Sequence, residues 1–150
     1  MTEMVIRPIN SSQARSWEAI RKRLWPEGSE EHATEIRAFF KGCSTDPVEV
    51  LTAHDSSNSM VGLVELSIRL NVAGLEGKRT GYVEGLYVDP GLRGQGVARM
   101  LLTESRRWAR KQGCAAFASD RADRVIIDRR FRSALRNSEP RQQPIELREC

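Results

Sequence analysis

The 150-residue chain, with 39% hydrophobic and 29% charged residues, is long enough to enclose one core and too short for two catalytic domains. This balance excludes both a disordered chain and a membrane protein. Residues 1–8 lack the basic start, apolar stretch and cleavage site of a secretory signal, so a single cytoplasmic domain spanning residues 1–150 is expected.

The formal net charge is +4, but residues 1–120 carry 16 basic against 15 acidic side chains, whereas residues 121–150 carry 8 against 5. An excess confined to an Arg-rich tail reads as a solvated helix face, so neither a nucleic-acid nor a membrane partner is expected. Cys43, Cys114 and Cys150 are odd in number and widely spaced, which supports neither a disulfide framework nor a CxxC site, and reduced thiols are the default. His32 and His54 lie apart without ligand spacing, so no metal site is expected.

In chain order, Asn10, Ser11 and Ser12 offer N-caps to a helix bearing Ala14, Trp17, Ile20 and Leu24 that ends at Pro26. A second helix after Ser29 carries Ile36, Phe39 and Phe40 and stops at Gly42. The period then changes. Val48, Val50 and Leu51 mark a strand, residues 55–59 a turn and residues 60–70 a second strand, together an antiparallel hairpin. Residues 71–81 read as a loop. Residues 82–88 (YVEGLYV) form a strand whose internal Gly85 points to a bulge or a close backbone approach. A compact turn over 89–96 leads into an amphipathic helix over 97–111, stopped by Gly113, and residues 114–118 form a short buried strand containing Cys114. Strand, helix, strand implies a right-handed crossover with a parallel pair inside a mixed sheet.

The segment DPGLRGQGVAR, residues 89–99, joins a strand to a helix. Gly94 and Gly96 let the backbone curve tightly, and the helix that follows begins with unpaired N–H groups at a positive dipole end, a combination that cradles phosphate. On the glycines alone, an ordinary strand-to-helix turn is an equal alternative. The dinucleotide pattern GxGxxG fits poorly, because Arg99 stands where Gly or Ala is needed and the turn begins several residues after the strand.

Arg93, Gly96 and Ala98 make R-x-x-G-x-A, which resembles the acetyl-CoA motif of GNAT acetyltransferases. The stretches LWP (24–26), VEGLYVDP (83–90), LRGQGVA (92–98), Arg107-Trp108 and GCAAFASD (113–120) are similar to the aminoglycoside 6'-N-acetyltransferases within that superfamily. The resemblance spans roughly residues 1–120. It implies an α/β (α+β) GNAT fold, a central mixed, mostly antiparallel sheet splayed at a parallel strand pair and flanked by helices. It also implies acetyl-CoA as cosubstrate, an aminoglycoside as the acetylated amine with resistance as the outcome, and a possible homodimer.

Carried over residue by residue, the resemblance places the pantetheine arm on the backbone of Leu86, Tyr87 and Val88. The diphosphate falls to Arg93, Gly94, Gln95, Gly96, Val97, Ala98 and Arg99, and the Val88 N–H is an oxyanion donor. Glu84, two residues before Leu86 and so expected on the same face, matches the family's amine-site glutamate. Asp120 matches its Ser-Asp pair, with N-cap of a following helix as the equal alternative. Trp25 matches a tryptophan of the antibiotic pocket, and from the sequence alone it reads rather as a partly buried core tryptophan. Glu84 and Asp120 are the catalytic candidates, and with Trp25 they are the substrate-binding ones. Glu27, Glu30, Glu31 and Glu76 add a possible negative field. Direct transfer needs no acyl-enzyme, and Cys114, in a buried strand, suits core packing better than nucleophilic attack.

From Arg121 the chain leaves the family's pattern of helix, Gly-Phe turn and aromatic-bearing strands. Residues 121–136 have helical character, while residues 137–150 contain Pro140 and Pro144 and no aromatic residue, which leaves the acid for the departing thiolate unassigned. The loop at 71–81 also lacks the family's aromatic residue. Another amine as acceptor, or coenzyme A binding without turnover, therefore remains open as a reading of the sequence.

Overall fold

The computed structural model describes residues 3–134 and contains β1 (Val5–Pro8), α1 (Ala14–Leu24), α2 (Ser29–Phe40), β2 (Glu49–His54), β3 (Met60–Arg69), β4 (Thr80–Val88), α3 (Val97–Lys111), β5 (Ala116–Arg121) and β6 (Arg124–Ile127). The six strands form one sheet in sequence order. Every neighbouring pair is antiparallel except β4 and β5, which run parallel because α3 carries the chain across. Asn10 caps a single 3-10 turn ahead of α1, its side chain accepting from Ser12 N while Gln13 reaches back to its own N–H, the reciprocal pattern of a capping box. Gly42 and Gly113 follow α2 and α3 in the left-handed region, where glycine carries no Cβ penalty.

Alternation along β3 divides the interior in two. Leu63 packs with Trp17, Ile20 and Ile36 of α1 and α2, whereas Val64 and Leu66 pack with Val97, Leu101 and Ala109 of α3. The sheet is therefore covered on both faces.

On the α1 face one buried polar cluster interrupts the apolar packing. Glu65, 1% exposed, accepts from Trp17 Nε1 at 2.9 Å and from Arg21 Nε and Nη2 at 2.9 and 2.7 Å. Arg21 also pairs with Glu35 through Nη1 and lies against the rings of Trp17 and Trp25. A carboxylate so buried is tolerable because its lone pairs are met by charge-assisted donors.

Three expectations are corrected. Of the helix expected over residues 121–136, none is formed among the described residues 121–134: β5 runs to Arg121 and turns through Ala122 and Asp123, both at positive φ, into antiparallel β6. Asp120 accordingly lies within β5 and caps no helix. Cys43 is disulfide-bonded, so the default of reduced thiols holds for the buried Cys114 alone among the described residues. The expectations for residues 135–150 lie outside the described residues. Among those described, no helix is long and apolar enough to cross a membrane.

Replacing Glu65 by Gln removes the charge facing buried Arg21, and we expect a loss of about 3–5 kcal/mol in unfolding free energy. Chemical denaturation of the two proteins measures it.

Candidate active site

The site is organised by one extra residue in β4. Glu65 pairs with Gly85 and Leu66 with Val83, so Glu84 is inserted opposite β3 as a bulge. The insertion reverses the alternation. Val83, Leu86 and Val88 face α3, while Tyr87 packs toward α1 and Glu84 enters a cavity beside Arg21 and Trp25. Glu84 and Leu86 thus lie on opposite faces, correcting the expectation of a shared one.

Gly85 meets both meanings of a glycine in a strand, because it flanks the bulge and admits a close neighbour. A Cβ there would lie 2.6 Å from Trp25 Cη2 and 2.9 Å from Cζ2, too near for any side chain. Trp25 is half-buried, its ring over the Arg21 guanidinium at 5.6 Å, and its carbonyl accepts from His32 Nε2 at 3.0 Å. Held from three sides, it walls the cavity and is neither free surface nor fully enclosed core.

The cavity has a volume of about 400 Å³ and gathers the carboxylates of Glu27, Glu31, Glu35, Asp46, Glu65 and Glu84. Glu31 and Glu35 stand one turn apart on α2, with Glu27 four residues before Glu31. Glu30 and Glu76 do not line it. Arg21 offsets Glu65 and Glu35, and Arg69 pairs with Glu84, donating from Nε at 2.8 Å and from Nη2. The remaining carboxylates leave a field that concentrates cations. Burial pushes the Glu84 carboxyl above the ordinary glutamate value, with Asp46 adding to the rise and Arg69 opposing it. Such a carboxylate is poised to hold or accept a proton nearer neutrality than a solvated one.

Asp120 is exposed at the end of β5 and does not line the cavity. It lies two residues beyond Ala118, which pairs with Tyr82, and therefore shares the Tyr82 face.

Beside this cavity the sheet opens. The parallel ladder ends at Val83 and Ser119, while β4 continues five residues further without β5. Asp89 N donates to Val61 O of β3, so strand alternation turns the Val88 N–H and carbonyl toward the opened side. There the carbonyl takes Arg93 Nε at 3.2 Å. Leu86 shares that orientation. Tyr87 directs its carbonyl toward Gly62 of β3, and its hydroxyl accepts from Arg23 Nη1 at 2.7 Å, so its main chain is not available to a ligand in the opening.

Immediately beyond, Gly94 and Gly96 adopt φ +83° and +85°, values that disfavour any other residue. The first bond of α3 runs from Met100 N to Gly96 O, leaving the N–H groups of Val97, Ala98 and Arg99 without an intrahelical acceptor. No side chain caps this end and no acidic residue occupies its first turn. Open strand edge and uncapped positive terminus adjoin, matching an extended arm ending in a diphosphate.

The model of the acetyltransferase (GNAT) family matches residues 15–126. The chain belongs to the GNAT family. It is 38% identical over 117 residues to the aminoglycoside N(6')-acetyltransferase type 1 of Klebsiella aerogenes, covering 77% of each chain. To its counterpart from Acinetobacter genomosp. 13 it is 32% identical over 133 residues, covering 88% of this chain and 86% of the relative. Among solved structures, aminoglycoside N-acetyltransferase AAC(6')-Iy in complex with CoA superposes with a TM-score of 0.72 at 27% identity, covering 82% of this chain and 80% of that one. The same enzyme with the bisubstrate analogue CoA-S-monomethyl-acetylneamine gives 0.71 at 28% identity, covering 81% of each.

Cys114 is fully buried and its thiol is pushed up to about 11 by desolvation, which removes it as a nucleophile in this GNAT domain. Arg21, Glu35, Asp46 and Arg69 are the site residues that the sequence did not disclose. The fourfold spacing of Glu27, Glu31 and Glu35 was the one available signal.

Gly85→Ala is expected to cost about 1–3 kcal/mol through overpacking against Trp25. A double-mutant cycle with Trp25→Ala in denaturant unfolding should show coupling between the two; additive losses would place the strain elsewhere.

Proposed function

We propose that this protein is an acetyl-CoA-dependent aminoglycoside 6'-N-acetyltransferase that works by direct transfer in a ternary complex. One observation carries the reading: an acidic cavity and an opened strand pair meet at the Glu84 bulge, so a polycationic amine and an extended thioester reach the same place from different sides of the sheet. The relatives named above for this activity, and the structures with CoA and with the acetylneamine analogue, support it.

Leu86 and Val88 supply main-chain hydrogen bonds to the pantetheine arm, and Gly94 through Arg99 supply N–H donors and the helix terminus to the diphosphate. Acetyl-CoA brings the activated acetyl group. Glu27, Glu31 and Asp46 draw in the ammonium groups, while Trp25 offers an aromatic face to sugar and cation. Glu84 takes a proton from the ammonium so that the neutral nitrogen can attack the thioester carbon, and the carbon–sulfur bond then breaks. The Val88 N–H faces the opening, where it meets the carbonyl oxygen as that atom gains negative charge. As the amide forms, the nitrogen gives up its second proton and the thiolate departs as the thiol of CoA. The protein acts in the cytoplasm, where the antibiotic and acetyl-CoA meet, confers resistance, and assembles as a homodimer.

Thiol release from acetyl-CoA with a panel of kanamycin-type aminoglycosides, polyamines and amino sugars tests the reading. Turnover with the aminoglycosides is the expected result, and turnover with other amines alone contradicts it. Glu84→Gln should lower kcat by about 100-fold with CoA affinity unchanged; equal loss of both would contradict the assigned role. Because Glu84 titrates above the ordinary glutamate value, the rate should fall on acidification through that higher pH, and the limb should vanish in Glu84→Gln.

A further inference from the structure

Arg69 stands at the end of β3, 44% exposed at its side chain, while its partner Glu84 is 12% exposed. Its guanidinium lies 4.1 Å from the centroid of the Tyr82 ring, and its Nε and Nη2 each meet a different oxygen of Glu84. This is a fork-on-fork pair backed by an aromatic face, which fixes the plane of a carboxylate as well as compensating its charge. An ionised carboxylate offers about four lone-pair sites, so after Arg69 takes one on each oxygen the other two remain for an ammonium or a water.

We propose that Arg69 is a positioning residue for acetyl transfer, holding Glu84 ionised and in a fixed plane from its seat on Tyr82. The inference rests on the role given to Glu84 above. The remaining neighbours of Glu84 are Ser67, whose hydroxyl donates to Asp46 Oδ1 at 3.3 Å and favours the charged form of Glu84, and Asp46, which repels it. Arg21, Glu65, Glu35, Glu31, Glu27 and His32 face it across the cavity. Arg69 is thus the cation that meets Glu84 directly, since Arg21 is committed to Glu65 and Glu35. Without Arg69, burial and Asp46 are opposed by Ser67 alone and the carboxyl moves further upward.

The test compares wild type, Arg69→Gln, Arg69→Lys and Glu84→Gln. It measures the pH profile of kcat/KM with an aminoglycoside, calorimetric CoA affinity, and the ¹³C carboxyl titration of Glu84 assigned by its loss in Glu84→Gln. Arg69→Gln should raise the Glu84 midpoint and the acid limb of the rate profile together by about one pH unit or more, and lower kcat about tenfold with CoA affinity unchanged. Arg69→Lys should restore the midpoint, because charge suffices for ionisation, but not kcat, because the fork is lost. An unmoved midpoint overturns the proposal. So does an amine KM that falls tenfold in Arg69→Gln with kcat unaltered, since Arg69 would then be a competing cation. If wild type turns over and Glu84→Gln matches it, the role of Glu84 itself fails. If Glu84→Gln is impaired and Arg69→Gln is not, the role of Arg69 alone fails.

Discussion

The structure depends on a single inserted residue. At Glu84 strand β4 is one residue longer than its partner β3, and one residue earlier its ladder with β5 stops. A bulge raises local twist, and a strand that twists away from a parallel neighbour leaves its outer main-chain groups unpaired unless something else meets them. In a water-filled opening that demand is mild; in one shaped for an extended ligand it becomes affinity. The same insertion turns Glu84 away from Leu86, so the strand presents its carboxylate to one side of the sheet and its open backbone to the β5 edge.

Around this point the chain spends its buried charge sparingly. Glu65 lies at the base of the acidic cavity but is fully answered by Trp17 and Arg21, so it braces the wall. Arg21 in turn underlies Trp25, and Gly85 lets that ring approach the strand. A rigid aromatic wall, compensated charge beneath it and uncompensated charge on α2 together suit recognition of a cationic sugar more than of a neutral one. The opposite requirement governs the start of α3, where unpaired N–H groups and the absence of an acid in the first turn favour an anion. The two ligands therefore face fields of opposite sign, which orders them without shared contacts.

Much of this was legible in the sequence because it is local. The spacing of Trp17, Ile20 and Leu24, the capping by Asn10, the glycine stops at Gly42 and Gly113, and the glycine-bearing turn before α3 each announce themselves within a few residues. Gly85 correctly signalled irregularity in β4. Its consequence for Glu84 was not legible, because counting by twos assumes an unbroken pleat and a bulge shifts every earlier residue to the other face. The helix expected over 121–136 failed for a related reason: the turn at Ala122 and Asp123 uses positive φ without glycine, so the usual marker is missing. The pairs Arg21–Glu65 and Arg69–Glu84 join residues 44 and 15 positions apart, and only the packing of α1 on β3 and the register of β3 with β4 bring them together. The sequence placed Asp120 in the site, whereas the exposed end of β5 leaves it outside the cavity wall.

The central claim is that the opened β4 edge and the start of α3 receive one extended anionic ligand. Backbone amide NMR during titration with coenzyme A tests it most directly. The account predicts the largest shifts at Leu86, Val88 and residues 94–99, with the amide of Val88 newly protected from exchange and the amides of α2 little changed. Shifts centred on the acidic cavity, with Val88 and the α3 terminus silent, would contradict it.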